Sequence, residues 1–327
     1  MAEQQRSDFT KGMLKDLYAY TLEKEKYVPQ DMVHPLLFDI KTATGAFEKH
    51  TTVIGAGNMV IKPEGEQIKF GRVGEGFTVQ STWDSYSGGL EFTMEDVQDM
   101  PKEKMANVLE EFASTMIEGY MQSKENLAAN VFNYGGYTAG NAIFNGSVKG
   151  NADPSGDLCY DGKPFFNLSG NLRPLYPGAT ATHYNGLSLG LDATNIQTAH
   201  TLMTDTNAVN SRSQKVKLMP NTLLVSPSLV WTASTLMKTA QQVNSANNNI
   251  NTVQGLYNIV PWNYLTTSTF WAIGQAKKGI VFWERMPLTF DFFGDPLTGG
   301  YKATAIARFG IEVNDFRYWV GSNAPTS

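Results

Sequence analysis

One stretch constrains this chain more than any other. Between Pro101 and the pair Gly135 and Gly136, apolar residues fall at Met105, Val108, Leu109, Phe112, Ala113, Met116, Ile117 and Tyr120, then at Leu127, Ala128, Val131 and Phe132. Steps of three and four place these side chains along one stripe, so the spacing predicts a single α-helix over 101–134. Proline is tolerated in a first turn, where its missing N–H has no intrahelical partner, and glycine tolerates the left-handed backbone that closes many helices. Such a helix is roughly 50 Å long at 1.5 Å per residue. It serves either as a spine carrying sheets and loops or as an ordinary long core helix. Met105, Leu109, Phe112, Met116 and Ile117 are its expected core side chains.

The flanking sequence is of a different kind. Residues 8–26 read as a helix with Phe9, Met13, Leu14, Leu17 and Tyr18 on one face and Asp8 as N-cap. Pro29 and Pro35 then make the chain extended. Residues 45–92 alternate in strands at 51–61, 66–73 and 76–83, with Gly-marked turns at 62–65 and 74–76. This segment has few large apolar residues, and a polar two-stranded hairpin is marginal by itself. It needs either a larger sheet or another subunit to lie on. Lys62, Glu64, Glu66, Lys69 and Arg72 carry both signs along it and are candidates for contact with a partner.

A short helix is expected from Thr93, and residues 135–190 are loop-rich. Further on, the spacing predicts a helix over 193–206, a buried strand over 221–226 and a helix capped by Ser228. Strands are expected at 255–260, 269–273 and 280–284, and long antiparallel strands over 301–320. The whole reads as α+β.

Composition bears on function mainly by exclusion. Charged residues make up 17% of the 327, low against the usual quarter or so, while aromatics reach 12%. Large subunit interfaces are depleted and enriched in the same sense. A formal net charge of -5 does not suit strong sequence-independent DNA binding by the whole chain. The one cysteine, Cys159, forms no intramolecular disulfide and no cysteine-cluster metal site. MAEQQRSDF lacks the basic and apolar regions of a signal peptide, and no apolar run approaches the ~18 residues of a bilayer span. The chain therefore reads as a soluble protein or part of a soluble assembly, without a membrane partner.

Catalytic patterns are weak. Val53 to Met59 looks like a strand entering a dinucleotide turn, but Val60 occupies the third glycine position and Pro63 stops any following helix. Residues 156–163 lack the spacing of a phosphate-binding loop. His34, His50, His183 and His200 are not at metal-ligand spacing, and Cys159 with His183 is a nucleophile–base pair only on paper. No catalytic, cofactor or metal residues are assigned, and a hydrolase is a remote alternative.

The order of elements resembles the major capsid proteins of tailed bacteriophages with the Hong Kong 97-type fold, closest to the Mu-like major head subunits. Tyr86 to Asp99 resembles the family's strand leading into a Thr–Glu–Asp helix start, followed by the spine helix. Asp161 to Phe166 resembles the turn after that helix, although Leu168-Ser169-Gly170 stands where His-Pro is common. Leu218 to Leu229 and Gly255 to Gly279, with Trp262 and Tyr264, look like the axial domain. Lys302 to Val320, with Arg308 and Arg317, resembles the returning peripheral strands.

The resemblance implies an N-terminal arm at 1–45, an extended hairpin loop at 46–92, and a peripheral domain at 93–189. It also implies an axial domain at 190–290 and returning strands at 291–327. The implied function is a non-enzymatic subunit assembling into hexamers and pentamers of an icosahedral virion shell around double-stranded DNA, built in the host cytoplasm. Scaffolding, portal and decoration proteins are the further partners it implies, with weak DNA contact, and the arm residues Arg6, Lys11 and Lys15 are candidates for touching phosphate. An encapsulin-type compartment shell is the alternative within the same fold.

Overall fold

The long apolar stripe folds as one uninterrupted helix of 32 residues, Lys102–Asn133. Phe112, Ala113, Ile117, Met121, Leu127, Ala128, Val131 and Phe132 are buried along it, whereas Glu110, Glu111 and Glu118 face solvent. Met116 departs from the expected core and is half-buried. Close packing dictates where the helix stops. A Cβ added to Gly135 would stand 2.7 Å from Phe166 Cδ2 and 2.8 Å from the Val131 carbonyl oxygen, so glycine is required there. Asn133 fastens the same end by donating to the Tyr264 carbonyl (2.9 Å) and accepting from the Thr266 N–H (3.0 Å).

The computed structural model describes residues 32–55, 57, 59, 61–68, 70–93, 102–136, 159, 161, 163–242, 249–294 and 300–325. The expected helix over 8–26, the short helix after Thr93, and the side chains of Lys69, Met105 and Leu109 lie outside the described residues. In chain order the first elements are α1 (His34–Leu37), β1 (Asp39–Thr42), β2 (Phe47–Ile54), β3 (Gly74–Thr82), β4 (Asp84–Phe92) and α2, the spine helix. They are followed by β5 (Gly186–Leu187), α3 (Ala193–Thr201) with a π-helical continuation to Thr206, β6 (Thr222–Val225) and α4 (Val230–Lys238). The last are β7 (Asn258–Pro261), β8 (Trp271–Gly274), β9 (Ile280–Gly294), β10 (Tyr301–Val313) and β11 (Trp319–Ser322).

The strands form a four-stranded sheet ordered β1-β9-β10-β4, a five-stranded sheet ordered β5-β11-β8-β6-β7, and the separate pair β2-β3. On β10, Ala303, Ala305, Ala307, Phe309, Ile311 and Val313 are all buried, the period of two expected of a strand with one face on a core. The inner half of that face packs with Phe112, Ala113 and Ile117 of α2. The five-stranded sheet buries Leu223, Val225, Trp271 and Ile273 against Ile196, Ala199 and Met203 of the α3 segment and Ala233 and Met237 of α4. Between the two modules stands Phe132, whose ring meets those of Phe38, Phe165, Phe166, Trp262, Phe270 and Trp319 at centroid distances of 5.3 to 6.3 Å.

Several elements differ from the sequence expectation. The strand expected over 51–61 ends at Ile54, the described residues of 66–73 form no strand, and β3 starts at Gly74, where the spacing suggested a turn. The strand expected at 280–284 continues to Gly294, because β10 pairs with it along its length; register shifts between Ile306 and Phe309 break the alternation that would have revealed it. Residues 301–320 are two strands: β10 lies in the four-stranded sheet and β11 in the five-stranded one. A division at 290 falls inside β9. Ser228 lies within a 3-10 turn, Pro227–Leu229, and no side chain caps the helix that follows.

Two buried polar networks join these parts. Glu125 on α2 is buried, and its Oε1 accepts from the Val33 N–H (2.9 Å), the His34 N–H (3.0 Å) and His34 Nδ1 (2.7 Å). Its Oε2 accepts from Trp262 Nε1 at 2.6 Å. Arg173, fully buried, pairs bidentately with Asp161 through Nε and Nη2, both at 2.7 Å. Its Nη1 donates to the Phe165 carbonyl and to Asn185 Oδ1, both at 3.1 Å. Asn185 Nδ2 in turn donates to the Phe165 (2.8 Å) and Trp319 (3.0 Å) carbonyls. A buried ion pair is tolerable only when its remaining donors and acceptors are met, as here.

The helix phase has a direct test. Ile117 is fully buried and Glu118 exposed. Ile117→Asp should cost about 3 kcal/mol or more, since it buries an unpaired carboxylate, whereas Glu118→Ala should stay within about 0.5 kcal/mol. Denaturant titration of the two variants separates these outcomes, and equal midpoints would contradict the phase.

Glu125 sets an acid limit. Burial pushes its carboxyl up, but the hydrogen bonds from the His34 side chain and backbone and from Trp262 outweigh it and hold the group below its ordinary 4.5. A carboxyl depressed in the folded state contributes stability above its unfolded value and loses it as pH falls through the folded one. Stability should therefore decline below pH ~4.5, and Glu125→Gln should lose about 3 kcal/mol near neutrality while showing a shallower acid decline. Thermal melts of both proteins between pH ~3 and ~7 check this.

Candidate assembly surface

The hairpin β2–β3 is built from its own backbone. Phe47 to Thr51 pair with Thr82 to Thr78, the register then shifts, and Val53 and Ile54 pair with Glu75 and Gly74. Thr51 Oγ1 meets Thr78 Oγ1 at 2.9 Å, and Thr52 Oγ1 donates to the Phe77 carbonyl at 3.0 Å. At the root, Trp83 Nε1 donates to the Gly45 carbonyl (3.0 Å), and the Trp83 ring stands 5.7 Å from that of Trp283. Among the described residues, neither strand joins another sheet. A ribbon of this kind has a rooted base and two open edges.

Between Ile54 and Gly74 the described residues form no strand, apart from a turn closed by the Glu66 N–H on the Pro63 carbonyl at 3.2 Å. Lys62, Glu64, Glu66 and Arg72 are exposed here, and Lys69 lies outside the described residues. The unexpected feature is apolar. Met59, Ile61 and Phe70 are 104%, 92% and 91% exposed, and Ile68 and Val73 are also open. Transfer of a side chain such as Phe from water is worth about 1.5–3 kcal/mol, so a tip presenting several of them is a surface waiting for cover. The tip is thus amphipathic, with exposed charges of both signs beside exposed apolar side chains. Its signal is in the sequence, in Met59, Ile61, Ile68, Phe70 and Val73, but without the fold these read as ordinary strand residues.

An open groove lies on the body. It has a volume near 230 Å³ and runs between α2 and the sheet, lined by Met116, Gly119, Tyr120, Leu288, Ala305 and Ala307 among others. This explains why Met116, expected in the core, is only half-buried. Phe112 and Ile117 lie in the core beneath.

The chemical candidates disperse. The segment resembling a dinucleotide turn forms the neck of the hairpin, where Ile54 pairs with Gly74. Burial pushes the Cys159 thiol up to about 12, and its charged neighbours are Arg173, Asp161 and Asp315 rather than His183. His34 serves Glu125, and His200 Nδ1 meets the Tyr257 hydroxyl at 2.5 Å. Among the described residues no group of three or more His, Cys, Asp or Glu is placed to hold a metal ion, and no helix is long and apolar enough to cross a membrane.

Two sheets on one spine helix thus carry a ribbon with an exposed apolar tip. Residues 76–322 match the family model described as phage capsid protein. The chain belongs to the phage capsid protein family. Among solved structures, a chain of the bacteriophage PhiM1 mature capsid superposes with a TM-score of 0.51 at 11% identity, over 90% of this chain and 88% of that one. A chain from Mycobacterium phage Patience gives 0.53 at 9% identity, over 99% and 88%. An encapsulin chain from Synechococcus elongatus gives 0.46 at 7% identity, over 88% and 85%. Comparison with curated proteins gives no match.

The capsid protein has the Hong Kong 97-type fold, as the resemblance implied, and it is a major capsid subunit that self-assembles into a shell and resides in the virion. Ile61→Ser with Phe70→Ser should leave subunit stability within about 1 kcal/mol, because both side chains are exposed. Particle yield should fall at least roughly tenfold, since each lost apolar contact of about 1.4 kcal/mol is a factor of ten. Urea titration of the unassembled subunit and negative-stain counts of particles read the two effects.

Proposed function

We propose that this capsid protein assembles as hexamers and pentamers of an icosahedral shell around double-stranded DNA, in the cytoplasm of a bacterial host. The observation that carries this reading is the β2–β3 ribbon: paired as a strand with neither larger sheet among the described residues, it exposes large apolar side chains at its tip. Lying across a neighbouring copy covers them, and the groove beside Met116 is the seat assigned to them. Each such contact is modest, but a closed shell repeats it at every subunit.

In this reading the four-stranded sheet with α2 is the peripheral domain, and the five-stranded sheet with α3 and α4 is the axial domain whose copies meet at capsomer centres. The net charge of -5 assigns the DNA to confinement more than to binding. The arm residues Arg6, Lys11 and Lys15, candidates for phosphate contact, lie outside the described residues. Scaffolding, portal and decoration proteins are the further partners of the reading.

Replacing residues 59–70 by a short Gly-Ser linker tests it, because the paired stem, 47–54 with 74–82, is left intact. The variant should remain folded, with a circular dichroism spectrum and melting temperature within ~2 °C of the parent, yet form no closed particles. Normal shells from the variant would remove the hairpin from assembly, and unfolding would place it in the subunit core.

A further inference from the structure

The neck of the ribbon is gripped by a side chain from a distant part of the chain. Arg212 donates through Nε to the Gly55 carbonyl and through Nη2 to the Arg72 carbonyl, the latter at 2.5 Å. These acceptors lie on opposite sides of the hairpin, just beyond Ile54 where β2 ends and just before Gly74 where β3 begins. Gly57, at φ +97°, lets the chain turn over the arginine stem; a Cβ there would stand 3.5 Å from Arg212 Cδ.

The arginine is presented by a turn shaped around it. Asn210 Oδ1 accepts the N–H groups of Arg212 (2.9 Å) and Gln214 (3.0 Å), and Asn210 Nδ2 donates to Gln214 Oε1 (2.9 Å). Val209 and Lys215 close the turn as a β-bridge, and Ser213 takes φ 60° within it. Arg317, paired with Asp315 at 2.6 Å, donates to the Val209 carbonyl and so ties the turn to the segment leading into β11. The grip therefore runs from the five-stranded sheet to the neck of the ribbon.

A two-stranded ribbon rooted at one end samples many directions unless something fixes it. A planar guanidinium that bonds one carbonyl on each side of the neck fixes both displacement and rotation, which a single-point donor does not. Both acceptors are backbone atoms, so the grip is independent of the side chains along the tip. We propose that Arg212 is the positioning residue that sets the direction in which the hairpin leaves the subunit before assembly. The tip is then presented already aimed, and ordering it on a neighbour costs less. The consequence for shells rests on the reading that the tip docks on a neighbour; the aiming itself does not.

The test uses the full chain, unassembled, with Lys62→Cys and Lys238→Cys carrying spin labels; the native Cys159 is buried and its thiol is held at about 12. Pulsed dipolar spectroscopy should give a narrow distance distribution. Arg212→Ala should broaden it at least twofold, with Arg212→Lys between them. The melting temperature should stay within ~2 °C throughout, because Arg212 is exposed. Without the labels, Arg212→Ala should give open or mixed-size particles.

An unchanged distribution in Arg212→Ala overturns the proposal, and so does a collapse of the melting temperature, which would make Arg212 part of the fold. Broadening with wild-type shells overturns its role in assembly. If shells also survive replacement of residues 59–70, the docking reading fails instead, and the spectroscopic result stands by itself.

Discussion

The carboxylate of Glu125 is the point on which the two halves of this subunit agree. Removed from water, it would be among the costliest groups in the molecule if left unpaired. Instead it accepts donors from Val33 and His34 on one side and from Trp262 on the other. The two sides come from different parts of the chain, and both must be in place at once. The charge therefore acts as a registry condition on the segment entering α1, the spine helix and the connection between β7 and β8. Phe132, two helical turns on, does the same by packing, with rings from both modules closing around it. The Arg173–Asp161 pair, held under the Phe316 ring at 4.1 Å, secures the loops that cross beneath.

With the frame so determined, the hairpin stands out by contrast. Its strands bond to each other, its root is held by Trp83, and its tip carries side chains that no part of the described subunit covers. A monomer has little reason to keep Met59, Ile61 and Phe70 in water. In the proposed assembly a neighbouring copy removes that exposure, and the contact is repeated around the shell. On the proposed reading the frame supplies a defined shape and the ribbon supplies the contact. Low overall charge suits the same end, since like copies must approach closely without strong mutual repulsion.

Legibility followed the range of the interactions. The spine helix was readable because its pattern is local: a period of three and four, a proline before it and a glycine pair after it. Phe112 and Ile117 follow that period and are buried. The run at 222–225 was readable as a buried strand for the same reason, four apolar or half-apolar residues between two prolines. Errors arose where pairing decided. β9 was cut short because its second half keeps its strand only through β10, with a register shift that hides alternation. The stretch 66–73 alternates like a strand but has no partner to hold it as one. Met116 follows the helix period yet lines a groove, since periodicity gives the direction of a side chain and not what lies opposite it.

The sequence by itself determined that this chain is an α+β protein organised on a long helix, with a weakly cored hairpin ahead of it. Periodicity, turn residues and composition are sufficient for that, because each is a property of neighbours along the chain. Only the tertiary structure decided that β11 leaves the sheet of β10 for the other one, that Glu125 is a buried junction, and that Arg212 grips the neck of the hairpin. Each depends on residues far apart in the chain meeting at hydrogen-bonding distance, as Trp262 meets Glu125 and Arg212 meets Gly55 and Arg72. A glutamate or an arginine on a polar stretch looks the same in sequence whether it faces water or holds two parts of a molecule together; the difference lies in which donors and acceptors the fold brings to it.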